Sequence, residues 1–426
     1  YVPTEYIASN QKKYYEEKYQ SAFGRLNLYP LFYERAINLL TIKGYLGYIN
    51  PYTLLKNKYF VESRKYIIDN TSIQTLVDFS SRRIFNSAAV DTIILILKKQ
   101  LDLNSEFIYI DNINDFVSMN YNTTKIKQTN LKKTSDISFN KPNTVLKKMF
   151  LNTEKLKNII EFKQGIITGN NKAFVVNIET AETKKVIRGE DFNRYTLSWN
   201  SLYIKYNNNL HRPRTPDIFE LPEKILVRQT GNYPVAMIDN NSYYTLDTVH
   251  NGKIINSQFT SQYLIAILNS KAMKYIWNCV INEEKKAFGQ IKIIYLNELP
   301  IPKTKPIKQK EIGILVNTML QKNKELQDKS NHFLDLLKAE YEISELSNKL
   351  LCWYELDWKH FTNELKKQKV VLSGSQKDDW FDRFNRISSE MKEIQTTITA
   401  TDKQIDSLVY KLYNLTDEEI KIVENM

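Results

Sequence analysis

The sequence predicts a multidomain α+β chain: an α/β segment, then a β-rich domain, then a helical region. Three observations predict it. Residues 90–97 (VDTIILIL) are almost all apolar and rich in β-branched side chains, the pattern of a strand buried on both faces of a sheet. Gly165, Gly169, Gly189, Gly231, Gly252 and Gly289, out of 11 glycines in the chain, gather in residues 145–302, where short strands need tight turns. After Pro306 there is no further proline, and only Gly313 and Gly374 interrupt what is otherwise a helical composition.

Taken in order, residues 1–21 are polar and tyrosine-rich and read as a loop. Leu31, Phe32, Ala36, Leu39 and Leu40 then make one apolar helical stripe, with Gly44 placed to end the helix. Residues 45–49 form a first strand, broken by Asn50-Pro51 because proline cannot donate to a ladder. A helix over 59–70, a strand over 73–79 and the strand over 90–97 complete residues 1–100. Residues 101–144 lose periodicity and read as a linker with one strand and one short helix. In residues 145–302 the segments 162–171, 173–176, 224–228 and 233–238 read as strands, and 263–277 has helix spacing. Residues 303–426 predict two long antiparallel helices turning at Ser373-Gly374-Ser375, with Trp353, Tyr354 and Trp358 beneath them. Thr401 with Gln404 and Thr416 with Glu419 have capping-box spacing.

Composition bounds the function. The chain of 426 residues is long enough for two to four domains. Its 60 Lys and Arg against 48 Asp and Glu leave a net charge of +12. A polyanion partner, usually nucleic acid, explains that balance; a solvated, lysine-rich surface is the alternative. Cys279 and Cys352 stand far apart, which fits a reducing compartment without disulfides or a zinc cluster. The four histidines are scattered singly, so no metal site is expected. No apolar run reaches the roughly 18 residues of a membrane span. A soluble, cytoplasmic chain is the expectation.

The ordered pieces GRLNLYPLFYERAINLL, GYLGYINPYTLL, SRKYIIDN, LVDF and RRIFNSAAVDTIILILKK resemble the second half of the catalytic domain of gamma-class adenine-N6 DNA methyltransferases of type II restriction–modification systems, the TaqI-like enzymes. The pieces GIITGNNKAFVV, VIRGEDFNRY, EKILVRQTG, YLIAILNS and LNELPIP resemble the target-recognition domain that follows it in the same family. The resemblance implies the C-terminal half of a Rossmann-like methyltransferase α/β domain, a β-rich recognition domain and a helical C-terminal region. It also implies double-stranded DNA as partner and S-adenosylmethionine as methyl donor, and the family includes bifunctional enzymes that carry an endonuclease. Tyr1 stands where the tyrosine of the family's Asn-Pro-Pro-Tyr motif would be, and Phe85 where a second aromatic lies; in the family these rings stack on the flipped target adenine.

A base methyltransferase must rotate its target out of the duplex and hold it between apolar or aromatic faces, on loops at the open end of a sheet. Phe85, flanked by Arg82 and Arg83 in the 80–89 loop, has such a position, and a cap over the sheet end is its alternative role. Arg188, Arg194, Arg212, Arg214 and Arg228 can fork onto guanine or phosphate, whereas Lys271, Lys274, Lys285 and Lys286 suit phosphate. With Lys163, Gln164 and Thr168 from the glycine-turn stretch, Arg82, Arg83, Arg188, Arg194, Arg228, Lys285 and Lys286 make up the expected DNA-contacting set. No glycine-rich turn after a strand precedes residue 20, so cofactor binding is not expected from these residues. Asn50-Pro51-Tyr52 imitates the catalytic motif but lacks its second proline and follows the wrong strand. The rival expectation is a non-catalytic DNA-specificity subunit, which would show a second recognition domain as an internal repeat; none is visible.

Overall fold

A computed structural model of the chain describes every residue except 1, 3, 25, 81–83, 86–89, 103, 104, 116, 117, 134–136, 140, 142, 281–288, 344 and 426, together with the side chains of 58 and 133. The chain divides into two compact units, Tyr1–Asn143 and Thr144–Met426.

The first unit opens with α1 (Ser9–Lys18), where a loop was expected. This helix buries no side chain, so its sequence has no apolar stripe to reveal it. It is held locally, by Gln11 accepting from the Ala8 amide at 3.2 Å. Helix α2 (Leu28–Leu39) is capped by Asn27, and its chain turns through Lys43 at φ +67° rather than through Gly44. Then follow β1 (Tyr45–Pro51), α3 (Val61–Asn70), β2 (Ser72–Asp78), β3 (Thr92–Lys98), β4 (Glu106–Asp115) and β5 (Asn120–Lys127). They form one five-stranded sheet in the order β1-β3-β2-β4-β5, in which only β2 and β4 run parallel. Residues 101–144 are therefore not a linker: they supply two strands of this sheet. Strand β5 was illegible because it lies at the sheet edge, where polar side chains are suitable.

Strand β3 alternates rather than being buried on both faces. Ile93, Leu95 and Leu97 are fully buried with Tyr33 and Ile37 of α2 and Ile67 of α3. Ile94 points to the other face, beside Val77, Phe79 and Ile110. Asn50 is buried inside β1 opposite Ile93, and its amide nitrogen donates to the Tyr33 hydroxyl.

The second unit contains short strands first. These are β6 (Thr153–Lys155), β7 (Ile160–Gln164), β8 (Val175–Val176), β9 (Thr183–Ile187), β10 (Phe192–Asn193), β11 (Thr196–Leu197), β12 (Tyr203–Lys205), β13 (Lys224–Arg228), β14 (Ala236–Asp239), β15 (Tyr244–Thr245), β16 (Val249–Ile254) and β17 (Pro300–Pro302). The main sheet runs β14-β13-β16-β7, all antiparallel, beside a second sheet β15-β9-β12-β8. The strand expected over 224–228 matches β13. Its first residue, Lys224, is fully buried against Asp239 across the ladder at 2.5 Å, an ion pair completed by the Phe219 carbonyl.

The unit's helices are α4 (Thr144–Met149), α5 (Asn171–Phe174), α6 (Ser261–Asn269), α7 (Lys271–Val280), α8 (Ile293–Leu296), α9 (Pro306–Tyr341), α10 (Asn348–Leu351), α11 (Trp358–Lys367), α12 (Gly374–Leu412) and α13 (Asp417–Glu424). The helix expected over 263–277 is thus two, separated at Ser270. Asn269 ends α6 by donating to and accepting from the backbone of Ala236, at 2.9 and 2.8 Å, so a side chain pairs with the edge strand β14. The long helices α9 and α12 pack together as expected, but α10 and α11 intervene between them, so 373–375 only starts α12. Trp353 is buried and stacks on Phe333 with ring centroids 3.6 Å apart. Thr416 and Glu419 form the expected capping box, whereas Thr401 lies within α12 and donates to the Thr397 carbonyl. Among the described residues no helix is long and apolar enough to cross a membrane, and no cluster of His, Cys, Asp or Glu could hold a metal ion.

Candidate nucleic-acid interface

The polar residues of interest in the second unit meet where β7 and β13 end and β16 begins. Gly165 makes that meeting possible. A Cβ there would lie 2.2 Å from the Leu246 carbonyl and 2.6 Å from that of Thr245, so only glycine lets β7 pass this turn. The Gly165 amide then donates to Val249 at 2.9 Å and that of Ile166 to Thr245 at 2.8 Å. Gly189 is constrained similarly, because a Cβ would stand 2.8 Å from the Thr248 carbonyl and 3.1 Å from Arg228. The loops after β7, β9 and β13 are thereby brought onto the 245–248 turn.

Around this turn the side chains are pre-oriented. Gln164 donates to the Asp247 carbonyl and to Gln229, both at 3.2 Å, and accepts from Arg214 at 3.3 Å. Arg228 lies over the Phe192 ring and donates to the Phe192 carbonyl and to Asn193. Burial draws its guanidinium below the usual arginine range. Arg188 is held by the buried Asp191 and by Glu190; hydrogen bonding to Asp191 strengthens its hold on the proton. Lys163 lies within 4 Å of Glu161 and Asp217 at 3.9 and 3.6 Å, yet stays 42% exposed. Below them His250 donates from Nε2 to the Ile291 carbonyl at 2.6 Å, and burial lowers its pKa, so this imidazole is a neutral strut.

Two expected contacts do not belong to this surface. Thr168 is buried, and its hydroxyl is committed to Asn171 at 2.5 Å as a turn bond. Arg194 is taken up by Asp402 of α12 at 2.5 Å, where it joins the β-rich part to the helices. Lys271 likewise pairs with Glu424, and Lys274 lies over the Tyr233 ring. Tyr1, Arg82, Arg83, Lys285 and Lys286 lie outside the described residues. Gln229, which no periodicity or charge singles out, also lies at this turn; its signal in the chain is the polar turn Gln229-Thr230-Gly231 directly after the buried strand KILVR.

In the first unit Phe85 is 43% exposed and belongs to neither core cluster of that unit. Its loop is clamped at both ends. Asp78 accepts from the Ser80 amide at 2.8 Å and from the Tyr109 hydroxyl at 2.7 Å, while the Tyr52 amide donates to Asp91 at 2.8 Å. Burial, with Asp78 and Asp91 nearby, pushes the Tyr52 hydroxyl up to about 12.

Known proteins share these segments. Residues 184–301 match the TaqI-like C-terminal specificity domain, residues 1–85 the Eco57I restriction-modification methylase, and residues 305–409 a domain of unknown function, DUF8810. Among curated relatives, the type II restriction enzyme and methyltransferase RM.Eco57I of Escherichia coli is 30% identical over 184 residues, covering 41% of this chain and 18% of that protein. The type II methyltransferase M.BstVI of Geobacillus stearothermophilus is 32% identical over 104 residues, covering 24% of this chain and 18% of its own length. The aligned part of the chain thus corresponds to under a fifth of either relative. Among solved structures, the type IIL restriction-modification enzyme MmeI in complex with DNA aligns over 97% of this chain and 56% of its own, at 11% identity and a TM-score of 0.42. The type IIG restriction endonuclease BpuSI aligns over 96% and 53%, at 11% identity and a TM-score of 0.38. The chain carries, in order, a methylase segment and a TaqI-like specificity domain, as in the C-terminal part of a TaqI-like restriction–modification methyltransferase.

Proposed function

We propose that this chain supplies the DNA-reading part of a site-specific DNA adenine-N6 methyltransferase of a restriction–modification system. The observation that carries the reading is that the strand ends and loops bearing Gln164, Arg188 and Arg228 meet at the 245–248 turn, within or beside the residues that match a specificity domain. Donors fixed at the end of a rigid sheet suit a DNA groove, where phosphate contacts set position and base contacts set sequence. The first unit would present Phe85 to the flipped adenine; Tyr1, Arg82 and Arg83, which the resemblance would also assign to that site, lie outside the described residues. A specificity subunit without catalysis would leave the methylase-like segment at residues 1–85 without a role.

S-adenosylmethionine would supply the methyl group, as the methylase match implies. Among the described residues of the first unit, Gly24 lies between α1 and α2, Gly44 precedes β1 and Gly47 lies within it, so none forms a glycine turn leading from a strand into a helix. These residues do not fit a nucleoside cofactor. Exchange of residues 145–302 with the equivalent segment of a related enzyme tests the reading. The methylated site should move with the exchanged segment. Specificity that instead followed residues 303–426 would overturn it.

A further inference from the structure

We infer that Gln229 reads a base edge, with its amide oriented by a relay from Arg214 through Gln164. This inference rests on the reading in which this surface faces DNA. A guanidinium only donates, so the oxygen of the Gln164 amide must face Arg214. The Gln164 nitrogen is then directed to the Asp247 carbonyl, which only accepts, and to Gln229. Turning the Gln164 amide over would set donor against donor at Arg214 and acceptor against acceptor at Asp247. Gln229 therefore meets Gln164 through its Oε1, which leaves its Nε2 hydrogens for another acceptor. The Gln229 backbone cannot swing away, because its amide donates to Thr248 at 2.8 Å and its carbonyl accepts from Ile291 at 2.7 Å. The side chain is half-buried, at the end of β13 and immediately after Arg228. A fixed amide donor suits a base edge that presents an acceptor in the major groove: guanine O6 or N7, adenine N7 or thymine O4. Cytosine, which presents an amino donor there, is disfavoured.

The test uses the full-length enzyme and a library of duplex sites randomised one position at a time, read out as methylation. Gln229→Glu retains the bond from Gln164 but replaces the amide donor with an acceptor. It should raise the preference for cytosine at a single position by at least tenfold and leave the other positions and the thermal unfolding unchanged. Gln164→Glu pairs with Arg214 and turns the Gln229 amide over, so the same position should shift towards bases that donate. If Gln229→Glu keeps the wild-type preference at every position, or weakens all positions equally, the inference is wrong. A wild-type enzyme without any site preference would overturn the DNA-reading function itself, which distinguishes the two failures.

Discussion

Phe85, in the loop between β2 and β3, is 43% exposed, whereas Phe79 and Tyr109 in the same unit are buried. An exposed ring contributes little to folding, whereas stacking on an extruded base contributes about 1–3 kcal/mol. Phe85→Ala in the intact enzyme should therefore slow methylation of paired DNA roughly tenfold while cofactor binding is retained. The loss should shrink when the target adenine is mispaired, since a mismatch lowers the cost of extrusion. Phe85→Trp, which keeps a π-face, should be milder. Equal losses on both substrates with a lower melting temperature would assign the ring to the sheet cap. At this scale the sequence pointed to Phe85 by position, but could not show that Thr168 turns inward or that Arg194 belongs to Asp402. Arg194 depends on a partner 208 residues away, and Thr168, though bonded to Asn171 three residues on, is buried by the fold around its turn.

Among the elements, β7 depends on a missing side chain. Gly165→Ala forces a Cβ against two carbonyls of the 245–246 turn. The shift should cost about 1–3 kcal/mol and weaken DNA binding, both measurable by chemical denaturation and a binding titration. Unchanged stability would mean that the turn can yield.

The seam of α7 and α12 carries a pH dependence. Asp406 of α12 is buried and accepts from the Lys271 amide at the start of α7, with Asp402, Arg194, Tyr410 and Glu424 nearby. Burial, reinforced by Asp402, raises its pKa to about 6, above its unfolded value. The ionised form is thus disfavoured in the fold, and stability present at acid pH is lost as pH rises through 6. Asp406→Asn keeps the acceptor without the charge. It should be more stable than wild type at pH 8, by about 2–3 kcal/mol from roughly two pKa units, and the gap should close towards pH 4. A pH-independent difference in melting temperature would exclude this role.

For the whole chain, the charge of +12 carries its own expectation. Binding to non-specific duplex DNA should weaken roughly 100-fold between 50 and 200 mM salt if about four phosphates are neutralised. Binding insensitive to salt would leave the charge as a solvated surface. The calorimetric or fluorescence titration should be repeated with Lys163→Ala, which is expected to lower the slope by about one phosphate.

What the sequence determined by itself is the succession of periodicities: the apolar strand at residues 90–97, observed at 92–98, the turn-rich middle, the proline-free helices and the capping box at Thr416. These are local properties, legible because spacing of 2 or 3.6 residues is written in the chain. The tertiary structure alone decided what lies at sheet edges and loop ends. Strand β5 and helix α1 bury too little to show a stripe, and the relay from Arg214 through Gln164 to Gln229 joins three segments no pattern connects. Hydrogen bonds between distant segments have no periodicity, so only the folded chain could reveal which charges are free to meet a partner and which are already engaged.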